Sequence, residues 1–209
     1  MIDRRAFITM VGGSVFSTPF AVEAQQAGGV RRIGYLAGGS AKVNVTYLDA
    51  FRQGLRELGW VEGQNIVVEY RHAEGRFDRL PDLAAELARL KVDLIFATPT
   101  PAAVAARNAT RTIPIVMRGV GDPVGLGLID SLSRPGGNVT GLSYSVGLET
   151  FGKSLELLKE AVPKVRRVAI LSNPDNPAHA PSVDTLKSTA RSLALQLSAD
   201  AWRLGANPT

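Results

Sequence analysis

Small or polar residues follow several apolar, strand-like segments at the points where those segments end. These residues are Gly39, Ser40, Thr98, Thr100, Asp122, Asn173 and Asp175, and the aromatic residue Tyr144 follows one more such segment. Hydroxyl groups beside unpaired main-chain N–H groups suit a carboxylate, and we expect this role for Ser40, Thr98 and Thr100. An ammonium group needs an acceptor, for which Asp122 is the best-placed candidate. The residue types therefore predict a binding site for a small molecule such as a free amino acid.

The same residues also have structural interpretations. Thr100, Asp122 and Asp175 could be helix N-caps and nothing more, because residues of these types are common at that position. The pair Gly38–Gly39 could serve a tight turn alone, because glycine tolerates left-handed backbone conformations. Tyr144 could stack on a ligand or pack within the protein, and packing is slightly favoured. Arg118 could pair with a ligand carboxylate, but an arginine at the surface or paired with an aspartate is the more ordinary reading.

The sequence offers no pattern that supports catalysis or a metal site. His72 and His179 are far apart and neither has metal-ligand spacing. No Gly-x-Ser-x-Gly nucleophile motif and no phosphate-binding loop ending in Gly-Lys is present. The glycines between 34 and 39 do not have the spacing of a dinucleotide-binding loop. We therefore expect a binding protein rather than an enzyme, with no cofactor and no bound metal; an exported hydrolase or reductase on a Rossmann-like fold is the weaker reading.

Alternating strands and helices must position the candidate residues. The predicted strands cover residues 31–36, 65–70, 93–97, 114–117, 139–143 and 167–171, with one more within 195–203. The predicted helices cover residues 45–58, 77–90, 101–109, 123–132, 149–160 and 177–197. Strands separated by helices of this length indicate βαβ units and a parallel sheet. The carboxyl ends of such strands meet at one edge, where open α/β folds bind ligands.

Three of these helices have a start signal, a small polar residue followed by proline. The signals are Thr98–Pro101, Asp122–Pro123 and Asn176–Pro177. Proline suits the first helical position because its missing N–H would be unpaired there. The pattern predicts polar N-caps at three helix N-termini, all directed at one cleft.

The strand and helix pattern restarts after residue 143. Residues 30–143 contain five predicted strands and form a first α/β lobe, whereas residues 144–209 contain a hinge and only part of a second lobe. A two-stranded fragment buries too little surface to be stable alone.

The N-terminus predicts export. Residues 1–24 combine Arg4 and Arg5 with a short apolar stretch and small residues near Ala24, which is typical of a cleaved signal peptide. The paired arginines are similar to a twin-arginine signal, although Thr9 stands where lysine is usual, so the ordinary secretory route stays open. The chain has no cysteine and therefore no lipid-anchored N-terminus, so we expect a periplasmic protein. The net charge of +5 is scattered and aromatics are few, which argues against nucleic-acid binding.

Several segments together resemble one family. They are Arg4–Ile8 with Ala24–Gln26, Ala50–Gly63 (AFRQGLRELGWVEG), Ile66–Tyr70, Arg111–Val116, Gly121–Val124 and Ser133–Gly141 (SRPGGNVTG). The chain resembles the substrate-binding proteins of ABC transporters of the tryptophan/tyrosine type. The resemblance extends to about Leu197; members continue beyond residue 209, so it implies a C-terminally truncated chain. Arg118 departs from the family, which usually has an uncharged residue there.

The resemblance implies a type I periplasmic-binding-protein-like fold: a parallel Rossmann-like lobe and an incomplete second α/β lobe. It implies the solute-binding component of an ABC importer, which closes its lobes on a small, amino-acid-like or aromatic solute and works with ABC permease subunits. It also places the Asp122 loop near the ligand. A ligand-sensing domain of the same fold and an inactive truncated remnant remain as alternatives.

Overall fold

The secondary structure alternates between strands and helices along the chain. The structure is a computed structural model and describes residues 30–42, 45–144 and 147–201, so the predicted signal peptide lies outside the described residues. The strands are β1 (Arg31–Ala37), β2 (Ile66–His72), β3 (Leu94–Thr98), β4 (Ile115–Val120), β5 (Val139–Ser143), β6 (Arg167–Ser172) and β7 (Gln196–Ala201). The helices are α1 (Val45–Glu57), α2 (Leu80–Arg89), α3 (Thr100–Ala109), α4 (Glu149–Ala161) and α5 (His179–Ser192), and a turn of 3-10 helix (Phe77–Arg79) precedes α2.

The first five strands form one parallel sheet in the order β2-β1-β3-β4-β5, here called the first sheet. In its register Tyr35 of β1 lies opposite Tyr70 of β2 and Phe96 of β3. The strand order moves outward from β1 in both directions. This topology confirms the predicted α/β class, and all five strands end at the same edge.

Helices cover both faces of the first sheet because successive side chains of each strand point to opposite sides. On one face, α2 and α3 pack over a core that includes Leu36, Ile95, Ile115 and Met117. On the other face, α1 packs its buried Leu48 in a core with Tyr35, Ile66 and Val68. Near-continuous apolar strands such as β3 are typical of a parallel sheet buried on both sides.

The last two strands form a second parallel pair, β6-β7, here called the second sheet. Helices α4 and α5 pack together, and their core with the strands is built on Leu155, Ala190 and Leu195. Exposed and half-buried side chains alternate along β6, and Leu171 on the outer face is 71% exposed. The two sheets agree with the expected restart of the pattern; the division into lobes at residues 143–144 stays a prediction.

The helix predicted over residues 123–132 is wrong, because this segment forms irregular turns. Only its first main-chain bond, from the Leu126 N–H to Asp122 O, has helical spacing; the N–H groups of Leu128 and Ile129 then both donate to Pro123 O. Gly127 has φ +64°, a left-handed conformation that interrupts a helix. Glycine within a helix costs about 1 kcal/mol relative to alanine, and Gly125 and Gly127 both fall in this short segment.

The helix predicted over residues 177–197 is too long. Helix α5 ends at Ser192, where the N–H of Leu195 donates to Ala190 O and Ala194 adopts φ +52°. This left-handed residue after the helix is the usual C-terminal capping arrangement. It frees the following residues to form β7, which confirms the extra strand predicted within 195–203.

Candidate functional site

The predicted polar N-caps of α3 and α5 are wrong. The residues at these N-caps are Pro99 and Ala178, and neither helix receives a side-chain hydrogen bond at its start. The polar side chains are used elsewhere. Asn176 Oδ1 accepts the N–H of Ala178 at 3.1 Å, which closes a local turn before α5. The third signal, at Asp122–Pro123, precedes the irregular turns and no helix.

At the carboxyl ends of β1 and β3, packing restricts the backbone. The N–H of Gly38 donates to Thr98 O at 2.9 Å, and Thr98 is buried. A Cβ on Gly38 would lie 2.9 Å from Phe77 Cε1, so only glycine fits this close approach. Gly39 and Ser40 follow as half-buried loop residues. The structural interpretation of Gly38 is therefore favoured over a ligand-binding one.

Thr100 makes a hydrogen bond between distant parts of the chain. Its side chain is fully buried, with 0% relative exposure, and its Oγ1 accepts the N–H of Gly121 at 3.0 Å. This bond joins the first residue of α3 to the loop that follows β4. Burial of a hydroxyl is tolerated here because the group has a partner.

Asp122 forms a turn immediately after Gly121. Its backbone has φ +44°, a left-handed value that aspartate tolerates better than most residues. Its Oδ1 accepts the N–H of Gly125 at 3.0 Å. The capping interpretation of Asp122 is thus realised on a turn. Among the described residues, Oδ2 has no hydrogen-bond partner, so this oxygen can accept from a ligand.

A cavity of about 240 Å³ connects the edge of the first sheet to the second sheet and its helices. Gly121, Asp122 and Tyr144 line it from the first side, and Ser172, His179 and Ser182 are polar lining residues from the second. The apolar lining consists of Leu148, Phe151, Ile170, Leu171, Ala178, Val183 and Leu186. Among the described lining residues, Asp122 supplies the only carboxylate. A single negatively charged hydrogen-bond acceptor beside an aromatic and aliphatic wall suits an amine attached to a hydrophobic group.

The structure brings only part of the predicted set together at this cavity. Asp122 and Tyr144 line it, whereas Thr98, Thr100, Gly39 and Ser40 do not. Asp175 instead lines a second, wider depression of about 570 Å³ between α2 and α3, together with Arg76 and Asn108. The roles expected for Thr98, Thr100 and Ser40 with a ligand carboxylate stay predictions, and burial of Thr100 gives that residue no surface to offer.

Asn173, the first residue after β6, acts inside its own loop. Its Oδ1 accepts the N–H of Asp175 at 2.9 Å, and its main-chain N–H donates to His179 Nδ1 at 3.0 Å. His179 Nε2 also lies 3.1 Å from Asn176 Nδ2. The hydrogen bond from the Asn173 N–H holds the imidazole at the cavity wall. The loop after β6 therefore shapes the cavity through His179, while its asparagines stabilise the loop.

Sequence reasoning missed the second side of the cavity. His179 has no metal-ligand spacing in the sequence, although its place at the start of α5, the helix after β6, follows the same strand-edge rule as Asp122. Phe151 and Leu186 lie within the helices predicted over residues 149–160 and 177–197, and helical periodicity places them only on an apolar helix face. Both side chains are half-buried, and helical spacing on α4 and α5 does not show that they face a cavity.

Arg118 is explained by an aromatic contact. Its guanidinium carbon lies 3.9 Å from the centroid of the Tyr47 ring, a cation–π geometry that neither of the two sequence interpretations included. Nearby on the same face of the sheet, the Tyr35 ring contacts Tyr70 and Phe96. Burial raises the pKa of Tyr35 above its usual value, and the positive charge of Arg118 partly opposes this effect.

Residues 30–42, 45–144 and 147–201 contain neither a metal-binding cluster nor a helix that could span a membrane. No three His, Cys, Asp or Glu side chains there are grouped closely enough to hold a metal ion. No helix in these ranges has the length and apolar character required to cross a bilayer.

Comparisons with known sequences identify relatives of the chain. Residues 43–202 match the model of a family described as ABC transporter substrate binding protein. A tyrosine-binding protein of Clostridioides difficile (strain R20291) is 37% identical over 141 residues, which are 68% of this chain and 40% of the relative. The chain thus spans less than half the length of this curated relative.

Solved structures share the fold. A conserved domain protein from Vibrio cholerae O1 biovar El Tor has a TM-score of 0.72 and 28% identity, with 83% of this chain and 57% of that chain covered. An ABC domain from Streptococcus pneumonia in complex with L-Trp has a TM-score of 0.69 and 26% identity, with 82% and 57% covered. The fold is that of the type I periplasmic-binding proteins. By its match over residues 43–202, the chain belongs to the ABC transporter substrate-binding protein family.

Proposed function

We propose that the protein binds an amino-acid-like solute with an aromatic side chain in the cavity at Asp122 and Tyr144, as the solute-binding component of an ABC importer. The observation that carries this proposal is the cavity itself. It combines one carboxylate with an aromatic and aliphatic wall, and it spans the expected boundary between residues 30–143 and 144–209. Closure of two lobes on a solute at such a boundary is a known structural transition.

The lining chemistry supports a particular orientation of the solute. An ammonium group would approach Oδ2 of Asp122, because Oδ1 already accepts the Gly125 N–H. The aromatic ring would lie against Phe151 and the aliphatic residues of α5, with Tyr144 at the exposed side; Tyr144 is 62% exposed and so has surface available for a ring. The relatives agree with this class, since one is named for tyrosine and another is in complex with L-Trp.

The proposed route to the working location is export. The signal peptide expected in residues 1–24 would direct the protein to the periplasm, where ABC permease subunits would receive the solute. A permease contact is part of the proposal because family membership implies such a partner.

A set of chemically matched probes tests the proposed function by titration calorimetry on the full chain. L-Tyrosine carries the ring, ammonium and carboxylate; tyramine lacks the carboxylate; 4-hydroxyphenylpropionate lacks the ammonium. Because Asp122 is the only carboxylate among the described lining residues, we expect measurable affinity for L-tyrosine and tyramine and much weaker affinity for 4-hydroxyphenylpropionate. Equal affinity for the acid that lacks an ammonium would contradict the assignment of Asp122, and absence of binding by every probe would contradict the proposed function of this chain.

A further inference from the structure

The geometry points to Thr100 as a positioning residue that fixes the Asp122 turn and thereby the wall of the cavity, rather than as a residue that contacts the solute. This inference rests on the proposed function in one respect, since it takes the cavity as the solute-binding site. The bond from Gly121 to Thr100 and the turn at Asp122 are independent of it. One chain of contacts leads from α3 through Gly121 to Asp122.

The first step is the direction of the Thr100 side chain. As the first residue of α3, Thr100 could accept a main-chain N–H of its own helix, but no such capping bond is present at this start. Its Oγ1 instead accepts the N–H of Gly121 across a sequence separation of 21 residues. With 0% exposure, Thr100 has no surface for a solute, so it can act only through the residue it holds.

The second step is the position of Gly121. A Cβ built on this residue would lie 3.1 Å from Tyr144 Oη and 3.3 Å from Ala178 Cβ. Gly121 is therefore enclosed between the segment after β5 and the segment before α5. The main chain at Gly121 is the point where elements of both sheets meet, and its hydrogen bond to Thr100 fixes it against α3.

The third step is the turn that follows. Asp122 is held in a left-handed conformation, and its Oδ1 accepts the Gly125 N–H. A left-handed non-glycine residue persists when the surrounding structure determines it. We attribute the left-handed conformation of Asp122 to two hydrogen bonds, one on each side of it. The Gly121 N–H donates to Thr100 Oγ1, and the Gly125 N–H donates to Asp122 Oδ1. Loss of the first bond would loosen the second and displace the carboxylate.

Substitution of Thr100 tests the inference through two readouts. Thr100→Val removes the acceptor at nearly constant shape, and Thr100→Ser keeps it. We expect Thr100→Val to raise the amide hydrogen-exchange rates of Gly121 and Gly125 about tenfold, since each bond contributes protection of this order. We expect its affinity for L-tyrosine to fall about fivefold or more, whereas Thr100→Ser stays within about twofold in both readouts.

A matched control lies at the other end of the same helix. Thr110 Oγ1 accepts the N–H of Ile113 at 3.1 Å, so Thr110→Val also removes a side-chain acceptor of a main-chain N–H. We expect this variant to lower the stability of the fold while leaving Gly121 exchange and L-tyrosine affinity unchanged. The control separates a general loss of stability from a local effect on the Asp122 turn.

The outcomes distinguish this inference from the proposed function. Unchanged exchange at Gly121 or Gly125 in Thr100→Val would overturn the positioning role, as would failure of Thr100→Ser to retain protection. Weaker binding by Thr110→Val equal to that of Thr100→Val would also overturn it. If the exchange pattern appears as expected but even the unsubstituted protein binds no probe, the positioning of the turn stands and the proposed function fails.

Discussion

The Asp122 carboxylate has two separable tasks in the proposed site, and a pair of substitutions distinguishes them. One oxygen stabilises the turn by accepting the Gly125 N–H, and the other is available to a solute ammonium. Asp122→Asn keeps a carbonyl oxygen for the turn and removes the charge. Asp122→Ala removes both. Comparison of the two variants therefore assigns each effect to one oxygen.

The expected change in the free energy of unfolding follows from the turn geometry. A hydrogen bond to a charged acceptor contributes about 1.5–3 kcal/mol, and the partial exposure of Asp122 favours the lower value. A left-handed alanine costs about 1 kcal/mol more, because alanine lacks the local hydrogen bond that aspartate makes in this conformation. We expect Asp122→Ala to lower stability by about 2–3 kcal/mol. Asp122→Asn should lower it by only about 0.5–1 kcal/mol, since asparagine also tolerates this conformation and keeps an acceptor, although a neutral one.

The expected change in binding follows from the charge. An ammonium paired with a partly buried carboxylate gains about 1.5–3 kcal/mol net, which corresponds to roughly 10–100-fold in affinity. Both variants should therefore bind L-tyrosine at least about tenfold more weakly than the unsubstituted protein. Titration calorimetry measures this change, and urea denaturation measures the change in stability.

Asp184→Asn provides the matched control. Its side chain is 77% exposed on α5 and pairs only loosely with Lys187, at 3.7 Å, so both measurements should remain unchanged. Unaltered L-tyrosine affinity in Asp122→Asn would refute the assigned charge role. A stability loss in Asp122→Asn as large as that in Asp122→Ala would refute the assigned turn role.

Three further predictions concern the fold. Gly141→Ala should lower the free energy of unfolding by about 3 kcal/mol or more in urea denaturation, because Gly141 has φ +137° and a Cβ would overlap the main chain of Met117. Gly54→Ala, with no atom near the added Cβ, should instead raise the free energy of unfolding by about 0.5–1 kcal/mol. Equal effects of the two substitutions would contradict the reasoning. Burial raises the pKa of Tyr35 above 10.0, so its contribution to stability is complete below pH 10.0 and lost as pH rises through the folded-state value; Tyr35→Phe should reduce the alkaline loss, measured by urea midpoints across pH. A main-chain N–H of β1 lowers the pKa of Asp93 below 3.8, so its contribution is present above pH 3.8 and lost as pH falls through the lower folded value. Asp93→Asn should therefore flatten the acid side of the same profile, and an unchanged slope would count against this bond.

Strand positions were predictable because they depend on local patterns. Apolar runs and helical periodicity assigned every strand of the first sheet within a few residues, and the α/β class followed from their alternation. The helix expected over residues 123–132 failed for a local reason as well. The polar residue followed by proline at Asp122–Pro123 predicts a helix start, but Gly127 adopts a left-handed conformation that a helix does not accommodate.

The candidate site was predictable only as a set of strand ends. The rule that parallel strands end at one edge selected Asp122 and Tyr144, which do share a cavity. The same rule also selected Thr100 and Asp175, which do not line that cavity. Residue type and position could not separate these cases, because a hydroxyl or carboxylate after a strand can serve a ligand, a turn or a distant main-chain group.

The amino-acid sequence by itself determined the alternation of elements, the family resemblance and the expectation of a ligand at the strand ends. These properties follow from the spacing of hydrophobic residues along short segments, which favours a strand or a helix and sets the face that is buried. Only the tertiary structure decided that Thr100 holds Gly121, that His179 and Phe151 complete the wall around Asp122, and that Arg118 contacts Tyr47. Those contacts join residues that are distant in sequence, and their distances are set by how the sheets and helices pack.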